Sequence, residues 1–416
     1  MTLLLWLGAG CQREPAEPAV REIRSIHMTG VYADAARVLA AEFQRQTGLR
    51  VTVVDAPYLS LREKELTDVL LGTGTFDVLQ VAHQWEGEIL PYLLPLDDFV
   101  ARHGPDLADF IPAVRQHSGR WNGRIYALPM ACDVITLLYR RDIFAERSAT
   151  FQAQTGRPLE PPRTWEEYLE IVRFLHSPSL YGNIIMGLQE QNFTVWAGIF
   201  HGLGGQLVDA NWQPQLDSEI GVRSLSLFAE MFRYAPPGSE RLGFTEANAL
   251  FLQGKGAMYL TWPSLIWAQL KDTNLCRFPE HIGAAVIPGR RPQLSAWSLG
   301  INRACTVPEA AYRWIEFFVN APNTRRLLLE WGKGSPRQSI YEDPECRRVI
   351  PYLDQIFEGF PGNQPRFRIP PSQELTDYLD QQIAEAISGR IPPQSALERA
   401  AARWREILAE TGYLRD

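Results

Sequence analysis

Between Ile23 and Val81 the chain alternates strand-like and helix-like segments, and this alternation constrains the fold more than any other feature. Ile23 to Met28 reads as a short strand. Ala35 to Gln46 (AARVLAAEFQRQ) places apolar residues at helical spacing, with Gly48 as a natural C-cap. Leu49 to Val54 is β-branched and strand-like. Leu61 to Leu71 is helical again and stops at Gly72, and Phe76 to Val81 (FDVLQV) is a third strand. A β-α-β-α-β order builds a largely parallel sheet flanked by helices, which makes this an α/β domain. Ligands of such sheets bind beyond the carboxyl ends of the strands. The loops of interest are therefore Thr29 to Asp34, Ala56 to Ser60 and Ala82 to Glu86.

The chain has 416 residues, enough for two or three domains, so this unit is only part of it. Trp121 to Tyr139 carries a small hairpin signal and then an apolar strand. Arg163 to Leu175 is a helix with Thr164 as N-cap and Glu167 three residues on, the pattern of a capping box. Gly221 to Phe232 and Thr245 to Leu252 are amphipathic helices. Gly256 to Thr261, Ile282 to Ile287 and Trp297 to Ile301 read as strands. Glu309 to Asn320, Thr324 to Trp331, Gln373 to Ile387 and Pro393 to Glu410 are helical. There is no repeat at solenoid periods.

Charge and motifs exclude several functions. Lys and Arg total 41 against 48 Asp and Glu, a formal charge of −7, which argues against a general nucleic-acid binder. Beyond the N-terminus no apolar run is long enough to cross a bilayer. Gly254 to Gly256 (GKG) lacks the spacing of a phosphate-binding loop. Neither HExxH nor GxSxG occurs. Cys132, Cys276, Cys305 and Cys346 lack CxxC spacing, so neither a structural zinc nor any other metal or cofactor is expected. Whether any two of them pair is left open, and single buried thiols are the favoured reading. At the start, Leu3 to Leu7 followed by small residues and Cys11 resembles the end of a bacterial lipoprotein signal, whose cysteine carries lipid. Gln12 to Val20 then reads as a polar, Pro-containing tether.

Several blocks occur in a telling order. They include QRQTGLRVTVV, FDVLQVAHQW with LLPLDDF, WNGRIYALPMACDVITLLYRRDIF, PRTWEEYLEIVRFL, FLQGKGAMYLTWPS and AWSLGINRACTVPEAAYRWIEFFVNAP. Together, from about Ile23 to Pro336, they resemble the extracellular solute-binding proteins of carbohydrate ABC importers. The resemblance implies an α/β two-lobe clamp of the periplasmic-binding-protein type II class. Each lobe would be a mixed, mostly parallel sheet flanked by helices, and the chain would cross between lobes three times. The crossings are expected near Ala131–Asp133, Gly283–Val286 and Gly332–Pro336. Residues 22–132 plus 284–334 would form lobe one, and 133–283 plus 335–416 lobe two, with 1–21 as signal and tether. The implied function is non-catalytic capture of a sugar or polyol between the lobes, read by a membrane permease once the hinge closes. The implied molecule is a monomer outside the cytoplasmic membrane, in the periplasm or on the outer face, anchored there only by lipid on Cys11.

A sugar has apolar C–H faces and an equatorial belt of hydroxyls, so its site needs aromatic plates and planar polar groups. By position the resemblance points to Trp262, just after GAMYLT, and to Trp297 in the block AWSLG. Trp262 has an alternative as a core plate under a turn, and Ser295-Ala296 stand before Trp297 where the family has glycines, which makes that loop less open. Asp133 follows IYALPMAC at the first expected crossing and needs a partner if buried. Gln84 and Trp85 follow FDVLQVA, and Tyr32 and Tyr58 sit in the first and second strand-end loops. Asn192 lies in the polar-aromatic run EQNFTVW. Arg337 follows Gly334-Ser335-Pro336, where it either reaches the cleft or is solvated. His83 reads as structural, and Asp97-Asp98 as a helix start rather than a catalytic pair.

Two other readings differ in class. A carbohydrate hydrolase would need two carboxylates across one bond, and Asp133 has no convincing partner by position. A sugar-sensing receptor component would bind the same cargo without feeding import.

Overall fold

A computed structural model describes residues 22–414. The expected lipoprotein segment and Cys11 lie outside the described residues.

The alternation at the start becomes a five-stranded sheet of order β2-β1-β3-β11-β6. It is built from β1 (Glu22–Met28), β2 (Arg50–Ala56), β3 (Val78–Ala82), β6 (Ala127–Val134) and β11 (Leu294–Ile301). β2, β1 and β3 are mutually parallel because a helix returns the chain each time: Val31–Thr47 after β1 and Tyr58–Leu71 after β2. β11 then runs antiparallel between β3 and β6. Two small apolar cores clamp the two faces of this sheet. One is centred on Phe43, Trp314 and Phe318, the other on Leu61, Trp85 and Ile89. The short hairpin expected near Trp121 is β4 (Arg120–Trp121) with β5 (Arg124–Ile125).

The second sheet has the order β10-β7-β9-β8, from β7 (Thr136–Arg140), β8 (Tyr181–Ile184), β9 (Gly256–Thr261) and β10 (Ile282–Val286). It is mixed, as expected, but mostly antiparallel: only β8 and β9 run parallel. The reason lies at the edge where the chain enters and leaves. β7 comes straight from β6 through the single residue Ile135, and β10 leaves for β11, so the two run in opposite directions. Around this sheet lies a large core that includes Trp165, Trp196, Phe228 and Tyr259. The expected capping box is present, with Thr164 Oγ1 accepting from the Glu167 amide and Glu167 accepting from the Thr164 amide.

Asp133 and Val134 still pair with Ser295 and Leu294 in the first sheet, so the chain leaves that sheet at Ile135. Ala284 to Val286 still pair with Thr136 to Leu138 in the second sheet, so the second passage is Ile287 to Gln293. Before the third passage, Ile111 N–H donates to Pro336 O and Gln338 N–H to Asp109 O, which keeps 336–338 on the first lobe. The end of β6 and the segment that leads to the third passage lie side by side. Cys132 N–H donates to Gly334 O at 3.0 Å, and Cys132 Sγ to Ser335 O at 3.0 Å. A Cβ at position 334 would stand 2.0 Å from Cys132 O, so only glycine permits this approach.

Besides several helices of seven residues or fewer, two longer helices escape the periodicity reading. Arg141–Thr155 buries only Ile143, Phe144 and Phe151, too few to show a stripe. Asn192–Gly202 is apolar all round because it is buried all round. Cys132, Cys276 and Cys346 are buried, Cys305 is half-buried, and all four are free thiols. Among the described residues no helix is long and apolar enough to cross a membrane.

Candidate functional site

The ends of β1, β2 and β3 do deliver the predicted aromatics to one place. Tyr32 sits in the first turn after β1, Tyr58 opens the helix after β2, and Gln84 and Trp85 form the turn after β3. Trp297 comes from β11, where it pairs with Ala82. The four rings form one cluster centred on Trp297, with centroids 5.6 Å from Tyr32, 6.1 Å from Tyr58 and 5.6 Å from Trp85. Trp85 meets Trp297 edge-on and lies 4.8 Å from Tyr58. Such tilted packing satisfies the ring quadrupoles and leaves faces available. Trp85 and Tyr32 are buried, while Tyr58 and Trp297 are half-buried. Gln84 Nε2 donates to the Tyr58 hydroxyl, which orients both.

Asp133 comes from the end of β6 and is buried. Its carboxylate accepts from the amides of Val134 (2.8 Å) and Ser264 (3.0 Å). Burial still pushes its pKa up to about 6, against those bonds and the charge of Lys333. Lys333 was not legible as a site residue. It arrives with the segment that leads to the third passage, is 2 % exposed, donates to Ser264 O at 3.3 Å and stands 4.9 Å over the Tyr32 ring. Burial lowers its pKa to about 8, with Asp133 opposing. Trp262, at the end of β9, donates its indole N–H to Ser295 Oγ of β11 at 2.8 Å.

The second lobe contributes a different set from the one the sequence suggested. Asn192 is buried and spends its amide on Gly187 O and Asp380 O, both at 3.3 Å, so it fastens a loop to the helix Ser372–Ile387. The same loop carries Glu190. It adopts φ 72°, costly for a residue with a Cβ, and its amide donates to Asp380 Oδ2. Burial and the neighbouring Asp377 raise its carboxyl pKa, while Arg366 and Arg62 oppose this.

Arg337 is a correction. Its guanidinium donates to Val319 O through Nε (2.9 Å) and Nη2 (2.8 Å), and to Asp106 O and Asp109 Oδ2 through Nη1 (both 3.1 Å). It also lies 4.5 Å over the Phe110 ring. Four of its five N–H groups are used inside the first lobe, so Arg337 locks that lobe instead of reaching the cleft. The late third passage explains the difference: residue 337 has not yet left the first lobe.

Arg366 is a second basic residue the sequence did not flag. Its amide donates to His83 Nε2 at 3.3 Å, and its Nη2 to Thr194 Oγ1 at 2.8 Å. Its guanidinium lies 4.8 Å over Phe193. His83 faces Glu86 at 3.2 Å through its other ring nitrogen, and Glu86 in turn accepts from Ser118 Oγ and the Gly119 amide. That network is wholly buried, so His83 is structural, as expected.

The arrangement is aromatic faces on one lobe, carboxylates and cations at the hinge and on the other lobe, and the ends of strands from two sheets. The profile of the bacterial extracellular solute-binding proteins matches residues 29–325. The chain belongs to that family. Its two-sheet architecture is the two-lobe clamp of the type II periplasmic binding proteins. A solute-binding protein from Agrobacterium radiobacter, solved with ribitol, has 26% sequence identity, a TM-score of 0.81, and covers 93% of this chain and 98% of its own. A probable amino-acid ABC transporter periplasmic-binding protein from Sinorhizobium fredii is 25% identical over 433 residues, 100% of this chain and 98% of the relative. The mannitol-binding protein of Pseudomonas aeruginosa is 23% identical over 384 residues, 85% of each.

Proposed function

We propose that this chain is the solute-binding component of an ABC importer and captures a sugar or polyol between its lobes. The observation that carries this reading is the ring cluster centred on Trp297, with Tyr58 and Trp297 half-buried at the strand ends where the two lobes meet. A cargo with C–H faces packs on those rings, and its hydroxyls meet Gln84, Asp133, Lys333 and Glu190. Relatives named for mannitol and solved with ribitol support a polyol. Trp262 closes the same cleft from the other lobe.

The chain delivers cargo to permease subunits and performs no chemistry on it. Asp133 supports this over hydrolysis, because both its oxygens accept backbone amides and neither is poised as an acid or nucleophile. It works as a monomer outside the cytoplasmic membrane, held there by lipid on Cys11. Lobe one comprises the N-terminal unit and β11 with the helices that follow, and lobe two the middle of the chain with the C-terminal helices.

The test is a tryptophan-fluorescence and thermal-shift titration with D-mannitol, ribitol, maltose, maltotriose and a set of amino acids. Saturable quenching with a raised melting temperature for a polyol or sugar is the expected result. A response to amino acids alone would replace the cargo class, as the name of the Sinorhizobium relative suggests.

A further inference from the structure

Segment 363–369 contains no helix or strand, yet it ties the two lobes together. It follows the helix Leu353–Gly359 and leads into Ser372–Ile387, which packs on the second lobe beside Asn192–Gly202. On its way it is fastened to the first lobe and the second passage. Leu294 N–H donates to Gln364 O and Gln364 N–H to Pro292 O. The Arg366 amide donates to His83, and Arg368 Nη1 donates to Arg120 O at 2.9 Å. Ile369 backbone lies so close to Gly87 that a Cβ there would meet its oxygen at 2.4 Å.

Arg366 stands out within this segment. Its backbone is bonded to buried His83 of the first lobe, while its guanidinium is bonded to Thr194 and lies over Phe193 of the second. Its remaining guanidinium N–H groups have no protein acceptor among the described residues.

We propose that Arg366 is a positioning residue that couples cargo to closure. Lobe separation cannot preserve both the His83 and the Thr194 bond, so the residue latches the closed form. Cargo bound between the lobes favours the same closed form as the latch, so the two reinforce one another. The cargo half of this statement rests on the sugar or polyol reading above, whereas the latch half does not.

The test uses the full mature chain with Arg366→Ala, Arg366→Lys and Thr194→Val. Small-angle scattering without cargo should show a larger radius of gyration for Arg366→Ala and Thr194→Val, and a near-normal value for Arg366→Lys, which keeps a charged donor. Circular dichroism confirms folding, and Thr194→Val carries the test if Arg366→Ala fails to fold. With D-mannitol or ribitol, whichever binds, Arg366→Ala should release cargo roughly tenfold faster. Unchanged scattering in both the Ala and Val variants would overturn the latch. A normal chain that binds nothing in the panel would overturn the cargo reading while the scattering still decides the latch.

Discussion

The indole nitrogen of Trp262 donates to the hydroxyl of Ser295 across the two lobes at 2.8 Å. One partner follows a strand of the second sheet and the other lies in the first, so the bond joins the two sheets. Trp262→Ala should weaken cargo binding by about 2 kcal/mol, roughly thirtyfold, as expected for a central aromatic anchor. Trp262→Phe and Ser295→Ala keep a plate in the cleft and should each lose well under tenfold. Isothermal titration with the cargo separates them. Equal losses for Phe and Ala would mean that the bond matters and the ring face does not.

Asp133 gives a pH signature. Its folded pKa of about 6 lies above the ordinary aspartate value of 3.8, so the folded state binds the proton more tightly than the unfolded chain. The resulting stability is fully present below about pH 4 and is lost as pH rises through 6, for a total of about 3 kcal/mol. Asp133→Asn cannot titrate. The stability of the normal chain relative to this variant should therefore fall between pH 4 and pH 7, measured by urea unfolding at each pH. A flat difference would place the Asp133 carboxyl in a far more solvated setting.

Arg337→Met tests the reassignment of that residue. The change strands Val319 O and removes the cationic partner of Asp109, whose carboxylate keeps only Ser339 as a donor, at a cost of about 3 kcal/mol. Cargo affinity should stay within roughly threefold, because no cargo contact is removed. A stable variant that no longer binds would return Arg337 to the cleft.

Gly87→Ala is the least intrusive perturbation of the segment that crosses to the second lobe. Its new methyl would collide with Ile369 backbone, and such overpacking costs about 2 kcal/mol. Thermal melting should show the loss, and hydrogen exchange should show faster exchange at residues 366–369 than elsewhere.

Cys11→Ala should move the protein from the membrane fraction to the soluble fraction of its native host. Continued membrane association would remove the lipid anchor from the account.

The sequence made the first sheet and the aromatic cluster legible for the same reason. Tyr32, Tyr58, Gln84 and Trp85 each follow a strand of one local βαβ unit, so the alternation of Ile23 to Val81 places them without any long-range knowledge. Trp297 and Asp133 needed the resemblance, because β11 and β6 join that sheet from far along the chain. Lys333, Glu190 and Arg366 were out of reach. Nothing in their local pattern distinguishes them from the many solvated charges of the chain, and only the packing of distant segments brings Lys333 to Ser264 and Tyr32, Glu190 to Asp380, and Arg366 to His83 and Thr194. Arg337 shows the opposite error, for two or three residues of uncertainty in a passage decide which lobe a side chain serves.

The contact of Cys132 with Gly334 has a consequence for its neighbours. Two chain segments stitched edge to edge by hydrogen bonds hold a fixed register, so the residue beside each stitch is held with it. Asp133 follows Cys132 and Lys333 precedes Gly334, so the stitch sets where these two buried side chains stand. A bulky side chain at position 334 would part the two segments and carry the Lys333 ammonium away from Ser264 and the Tyr32 ring.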